Sequence, residues 1–372
     1  MSEVPSMRRR SLRALVAGGA TEDGAPGDRI FFLSHWFRGH NNPRYAELLP
    51  RLPRIDAYLA MLSDRRALRG LQYRILLRPL RSRLEPHLVR LGNRRYHGLF
   101  TTDNEQIPYF HGPVVSDVDD PRFTERDAGQ LGSPQVQAYV VTEERAARAF
   151  EALGVEKPHY VIPQGVDLSS FRPGDVEAVA RRHRGPGDFV VGYMAAWLLA
   201  AGDRGGENPL YNVEHLFELW SEIRARVPRA RLWLLGGASS EIEERARALG
   251  GVVVLGRVPR EQLLAHVANF DVGLYPRTKD QGIQSVKIAE YMGAGVPTVA
   301  YDYDVTQVVR TAAAGLLVGS PREFVDAVVR LAEDDAERRG LAETAGAYGR
   351  SLDWRLLAER YNEVLDRHIP VR

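Results

Sequence analysis

Short β-branched or aromatic runs, separated by amphipathic stretches of helical period, limit most strongly what this chain can fold into. The runs lie at 30–34, 57–62, 99–102, 113–116, 138–142 and 160–163, then at 189–194, 231–236, 252–256, 272–275, 298–301 and 316–318. Most are apolar along nearly their whole length, which marks strands covered on both faces, as in parallel sheets. Helical patterns at 213–227, 241–249, 259–268 and 323–332 separate them. Strands alternating with helices predict an α/β fold with right-handed crossovers. The 372 residues, at about 150 per domain, suggest two domains. Periodicity is weakest over 169–187, where turn residues flank a short polar helix. This predicts a linker at 171–187 between Rossmann-like domains at 28–170 and 188–350, with a mobile leader at 1–27 and a last helix at 351–372.

Composition removes several classes of function. The chain has no cysteine, so disulfides, thiolate metal sites and a cysteine nucleophile are excluded. Residues are 44% hydrophobic and 26% charged, as in ordinary globular domains and unlike disordered or fibrous chains. No apolar run is long enough to span a bilayer. The start is basic (Arg8, Arg9, Arg10, Arg13), but the stretch after it is too short and glycine-rich for a secretory core. The expected location is therefore cytoplasmic. The net charge of +2 averages an uneven distribution: residues 65–95 hold ten arginines against one acid, Glu85. That stretch reads as a basic amphipathic surface for anionic lipid, as a site for an anionic acceptor, or as a solvated helix. No basic pattern spaced by aromatics points to nucleic acid. Of 50 basic residues only Lys157, Lys279 and Lys287 are lysine.

Four segments carry a family likeness. They are Val-Ile-Pro-Gln-Gly-Val-Asp-Leu-Ser-Ser-Phe-Arg-Pro from Val161, Asp-Val-Gly-Leu-Tyr-Pro from Asp271, Ser-Val-Lys-Ile-Ala-Glu-Tyr-Met-Gly-Ala-Gly-Val-Pro-Thr-Val-Ala from Ser285, and Leu-Asp-Trp from Leu352. In that order they resemble the interdomain signature, the strand before the donor site, the donor-binding helix and the returning helix of family 4 glycosyltransferases. The likeness covers about 155–370, and the N-terminal half matches loosely through Asp117-Val-Asp-Asp-Pro121. It implies a GT-B fold, with two Rossmann-like domains facing across a cleft, acceptor domain first and donor domain second. It also implies a nucleotide-sugar donor and a retaining, metal-independent transfer.

A nucleoside diphosphate needs cations, backbone N–H groups or a helix start at its phosphates. The 276–290 segment offers Arg277, Lys279 and Lys287, a loop loosened by Gly282, and a helix starting near Ser285 or Val286. Two of the three lysines fall here, compact point charges in a chain that otherwise uses arginine. Glu290 lies three residues after Lys287, on the same helix face. By resemblance it binds the ribose hydroxyls. The alternative is an ion pair with Lys287 worth ~0.2–0.5 kcal/mol. Gly293 and Gly295 are expected to allow close helix–sheet packing. The family often has a second glutamate earlier in this region, but counting back from Glu290 lands on Gly282. Asp280 is the nearby acid and a candidate sugar contact, unless backbone N–H groups at 281–284 replace it.

The other phosphate wall is expected in the glycine-rich loop 200–209, where Arg204 stands in for the family's lysine. The base is expected against the loop 256–260, read by backbone around Val258, and nothing there separates UDP from GDP. In the first domain, Gly39 would let backbone near the donor, with His35, Arg38 and His40 around it. The loop 101–112 is dense in hydrogen-bonding side chains and suits an acceptor. Asp119 falls where many relatives carry a histidine, and would contact an acceptor amine or hydroxyl or cap a helix. Lys287, Asp280 and Asp119 are thus the catalytic candidates, with no metal and no cofactor expected beyond the donor. The expected activity is transfer to a small-molecule or lipid-linked acceptor by front-face substitution, at the inner face of a membrane if 65–95 touches lipid. The other readings are a GT-B nucleotide-sugar epimerase and an inactive GT-B accessory protein.

Overall fold

A computed structural model describes residues 9–10, 28–34, 43–59, 77–203, 213–279 and 285–371. The chain forms two compact units, one comprising 1–163 with 354–372 and the other 164–353. The expected linker at 171–187 holds a regular helix, Pro173–His183, inside the second unit, and the division falls earlier, between Pro163 and Gln164.

The first unit is built on a seven-stranded sheet in the order β1-β3-β2-β4-β5-β6-β7, with all pairs parallel. The strands are β1 Arg9–Arg10, β2 Ile30–Ser34, β3 Ile55–Leu59, β4 Gly98–Thr101, β5 Val114–Val118, β6 Val136–Val141 and β7 His159–Val161. Its helices are α1 Pro43–Leu48, α2 Leu77–Asn93, α3 Glu125–Leu131 and α4 Glu144–Ala152. β2 is buried at every position because both faces are covered. Phe32 points into a cluster with Phe100, Val115, Trp354, Leu357 and Tyr361, whereas Phe31 points into one with Val89, Leu99 and Phe110. Gly92 of α2 lies so close to Phe31 that a Cβ there would sit 2.6 Å from the ring.

The first unit contains a buried polar hub. Arg44, at the start of α1, donates to the Asp117 carboxylate at 3.1 and 3.3 Å and to the carbonyls of Ile162 and Pro163 at 3.0 Å. It also meets the Tyr361 hydroxyl, which itself donates to Asp117 at 2.8 Å. The guanidinium stacks over the rings of Trp354 and Tyr361. Chain segments far apart in sequence are tied together by one cation.

The second unit has a six-stranded parallel sheet in the order β10-β9-β8-β11-β12-β13. The strands are β8 Phe189–Leu198, β9 Ala230–Ala238, β10 Val252–Gly256, β11 Val272–Tyr275, β12 Thr298–Tyr301 and β13 Gly315–Val318. The helices are α5 Pro173–His183, α6 Glu214–Arg226, α7 Ser240–Leu249, α8 Leu263–Val267, α9 Val286–Gly293, α10 Gln307–Thr311, α11 Pro321–Glu333 and α12 Asp335–Ser351. The last helix, α13 Trp354–His368, returns to the first unit. From β8 the chain runs outward through β9 to β10, then crosses to β11 on the other side. The strand order therefore reverses between β8 and β11, where open α/β sheets bind ligands. α9 reaches this point because Gly273 of β11 leaves room for the ring of Tyr291, which a Cβ would meet at 2.7 Å.

Candidate functional site

The loops leaving β8 and β11 flank the reversal point, and α9 follows the second of them. α9 begins at Val286, where the sequence places it. Ser285 precedes it in extended conformation but its side chain makes no cap, and the first turn contains no acid. Among the described residues no side chain caps this end and no acid faces the positive end of the helix dipole in the first turn, while the Ile288 N–H bonds back to the Ser285 carbonyl at 3.2 Å. α7, α11 and α12 instead use Ser239, Ser320 and Asp334 as caps.

Lys287 stands in that uncapped turn. Its ammonium lies 5.5 Å from the centroid of the Tyr193 ring of β8. Burial among these groups, reinforced by Arg277 and partly opposed by Glu290, pulls its pKa down to about 7. Arg277, just past β11, packs its guanidinium 4.9 Å over the ring of Tyr275. Tyr193 is pushed up to about 12, chiefly by burial, with Arg277 opposing. Two cations therefore share one partly dry corner at the reversal point, each over an aromatic ring. Lys279 is exposed on the same loop, whose backbone is held by a hydrogen bond from the Tyr303 hydroxyl to the Thr278 carbonyl at 2.7 Å.

Glu290 is only 4% exposed. Its carboxylate forms an ion pair with Arg260, in the turn after β10. This corrects the alternative reading of a Lys287–Glu290 pair: the two interact electrostatically, but Arg260 holds the carboxylate. Arg260 was visible only as the end of the loop 256–260, where backbone contacts were expected. Val258 packs its side chain against the cluster containing Trp233 and Phe270. Arg257 stacks 4.3 Å over Trp197, which is 46% exposed at the end of β8. Gly293 gives close packing against Val166, and Gly295 takes a left-handed φ of 68° in the turn after α9.

Asp119 lies just past β5 in the first unit, half-buried, within electrostatic reach of Tyr45 and Tyr361. The neighbouring Asp117 is the buried partner of Arg44 and so is structural. In the loop 101–112, Thr101 bonds the Gln106 side chain, which itself donates to the Leu33 carbonyl and to Glu85. Asp103 caps the turn Asn104–Tyr109, and Ser116 donates to Asn104. Much of the polarity expected to read an acceptor thus holds the loop itself in place. His35, Arg38, Gly39, His40, Arg204, Asp280 and Gly282 lie outside the described residues.

Residues 198–334, which carry Val258, Arg260, Arg277, Lys279, Lys287 and Glu290, match the family described as glycosyl transferases group 1. The chain is 26% identical over 252 residues to Glycosyltransferase 1 domain-containing protein 1 of Xenopus tropicalis, covering 62% of this chain and 70% of that one. It is 27% identical over 292 residues to the D-inositol 3-phosphate glycosyltransferase of Nocardia farcinica, covering 70% of this chain and 62% of the relative, less than two thirds of its length. Among solved structures, Anabaena HepE in complex with UDP superposes with a TM-score of 0.70 at 18% identity, over 91% of this chain and 100% of that one. WaaG, a glycosyltransferase involved in lipopolysaccharide biosynthesis, gives 0.61 at 13% identity, over 90% and 99%. The fold is GT-B, and the matched segment with the relatives bears out the expectation of a glycosyltransferase enzyme.

Proposed function

We propose that this glycosyltransferase takes its sugar from a nucleoside diphosphate sugar bound at the β8–β11 reversal point of the second unit. The observation that carries the reading is Lys287 in an uncapped first turn of α9, with Glu290 one turn on along the same helix face. A diphosphate would accept from N–H groups at the start of α9 and from Lys287, and Arg277 would add charge. The ribose hydroxyls would donate to the Glu290 carboxylate, whose orientation Arg260 holds. The base would then fall against the backbone around Val258. That the solved neighbour HepE was captured with UDP supports a nucleotide of this class.

In the transfer, charge builds on the leaving diphosphate, and cations already fixed there stabilise it without reorganising. We assign this role to Lys287 and Arg277, with Lys279 and Arg204 as further contributors, and a contact with the transferred sugar to Asp280. The reaction is read as a front-face substitution that retains configuration and needs no metal. The leaving phosphate oxygen takes the proton of the acceptor hydroxyl or amine. Asp119 is proposed to contact that acceptor, a small molecule or a lipid-linked group.

The test is a thermal-shift and calorimetric panel of UDP, GDP, ADP and their sugars. One nucleoside diphosphate is expected to raise the melting temperature through preferential binding to the folded state. Glu290→Ala is expected to weaken that nucleotide by about 10- to 100-fold, since hydrogen bonds to a charged group contribute ~1.5–3 kcal/mol. The same variant should no longer discriminate the nucleotide from its 2′- and 3′-deoxy forms. Full affinity and full discrimination in Glu290→Ala would overturn the ribose assignment.

A further inference from the structure

We propose that the exposed face of α2 is a docking surface for an anionic lipid bilayer. At about 100° per residue, Arg83, His87 and Arg90 fall within roughly 60° of one another around the helix axis, and Arg94 follows in the turn that ends the helix. All four are exposed. Glu85, Val89 and Gly92 fall on the opposite side, against the sheet. Val89 is fully buried in the cluster with Phe31, and Gly92 lies beneath that ring. Glu85, the one acid of 65–95, is only 9% exposed and accepts from Gln106 Nε2 at 2.6 Å. The fold thus turns the acid inward and leaves a purely basic ridge outside.

The surroundings preserve that charge. Among the described residues no carboxylate pairs with Arg83, Arg90 or Arg94. The turn Asn104–Tyr109 packed beside α2 carries Glu105, whose carboxylate pairs with Arg126 at 3.3 Å. Arg90 lies 5.0 Å over the ring of Tyr109, so that aromatic face is covered and offers no stacking platform to a nucleic-acid base. Leu84 is 40% exposed on the flank of the ridge. An apolar side chain among cations suits the headgroup boundary, where the leucine enters the acyl region and the arginines meet phosphate.

The surface is tested by sedimentation of the full chain with vesicles of phosphatidylcholine alone and of phosphatidylcholine mixed with phosphatidylglycerol. Binding is expected to the mixed vesicles only, and to weaken as salt rises. At roughly five-fold per arginine near an anionic surface, the triple variant Arg83→Ser/Arg90→Ser/Arg94→Ser should lose about 100-fold. Leu84→Ala should lose a few-fold more on mixed vesicles at high salt, where charge is screened. All four side chains are exposed, so thermal stability and nucleotide binding should stay unchanged and report a folded protein. Equal binding to neutral vesicles, or unchanged binding of the triple variant, would overturn the proposal. So would loss of heparin binding with vesicle binding intact, since the ridge would then serve a soluble polyanion. Vesicle binding does not depend on the donor reading, so failure of one leaves the other standing.

Discussion

Lys287→Met is expected to lose nucleoside diphosphate binding by about 100-fold while making the ligand-free protein more stable at pH 7. The two effects have one cause. The lysine's pKa is pulled down to about 7, from 10.5 for the free group, chiefly by burial. The unfolded chain therefore binds more protons than the folded one between these values, so stability rises with pH across that window. Below about pH 7 the folded protein bears the whole penalty of placing an ammonium there, and above about 10.5 it bears none. Methionine removes the penalty, and the gain should be roughly 2–4 kcal/mol at pH 7 and vanish near pH 10.5. A bound diphosphate reverses the balance, because an anion beside Lys287 favours its charged form. Nucleotide binding at pH 8 should then take up close to one proton, seen in calorimetry as a heat that varies with the ionisation enthalpy of the buffer. Uptake that persists in Lys287→Met, or a variant that binds nucleotide normally, would place the phosphates elsewhere.

Arg44→Met should produce the largest loss of stability. The guanidinium is 1% exposed and holds a carboxylate that is fully buried. Removing one partner of a buried ion pair costs about 3–5 kcal/mol, because the remaining charge loses its compensation. The carbonyls of Ile162 and Pro163 lose a donor as well. For a unit of this size the loss corresponds to a fall of roughly 10 °C in the unfolding of the first unit. The double variant Arg44→Met/Asp117→Asn should recover a large part of it, since no uncompensated charge remains. Recovery separates this explanation from simple loss of packing, which the second substitution would leave uncorrected. Nucleotide affinity should be untouched, because Lys287 and Glu290 belong to the other unit.

The corner around α9 was the more legible of the two halves. The start of α9, Lys287 and Glu290 could all be found because they lie on one short segment, where spacing along the chain becomes spacing along a helix. Arg260 could not be found that way. It meets Glu290 from a turn 30 residues earlier, and its loop gave no sign that its side chain rather than its backbone mattered. Tyr193 looked like any residue of a buried strand, and only the neighbouring β11 and α9 bring Lys287 over its ring. In the loop 101–112 a run of polar side chains suggests recognition, while buried Gln106 and half-buried Asn104 take partners within the protein.

Local chemistry determined the strands, the helix start at Val286 and the class of fold, because strand and helix periods are set over a few residues and both faces of these strands must be apolar. Tertiary structure decided which charges are partnered. Arg44 reaches Asp117 across 73 positions and Tyr361 across 317, Glu85 is turned to the core, and Arg83, Arg90 and Arg94 are left in water. The energy of a charge depends on how many of its neighbours are water, and that is settled only when distant segments pack against it.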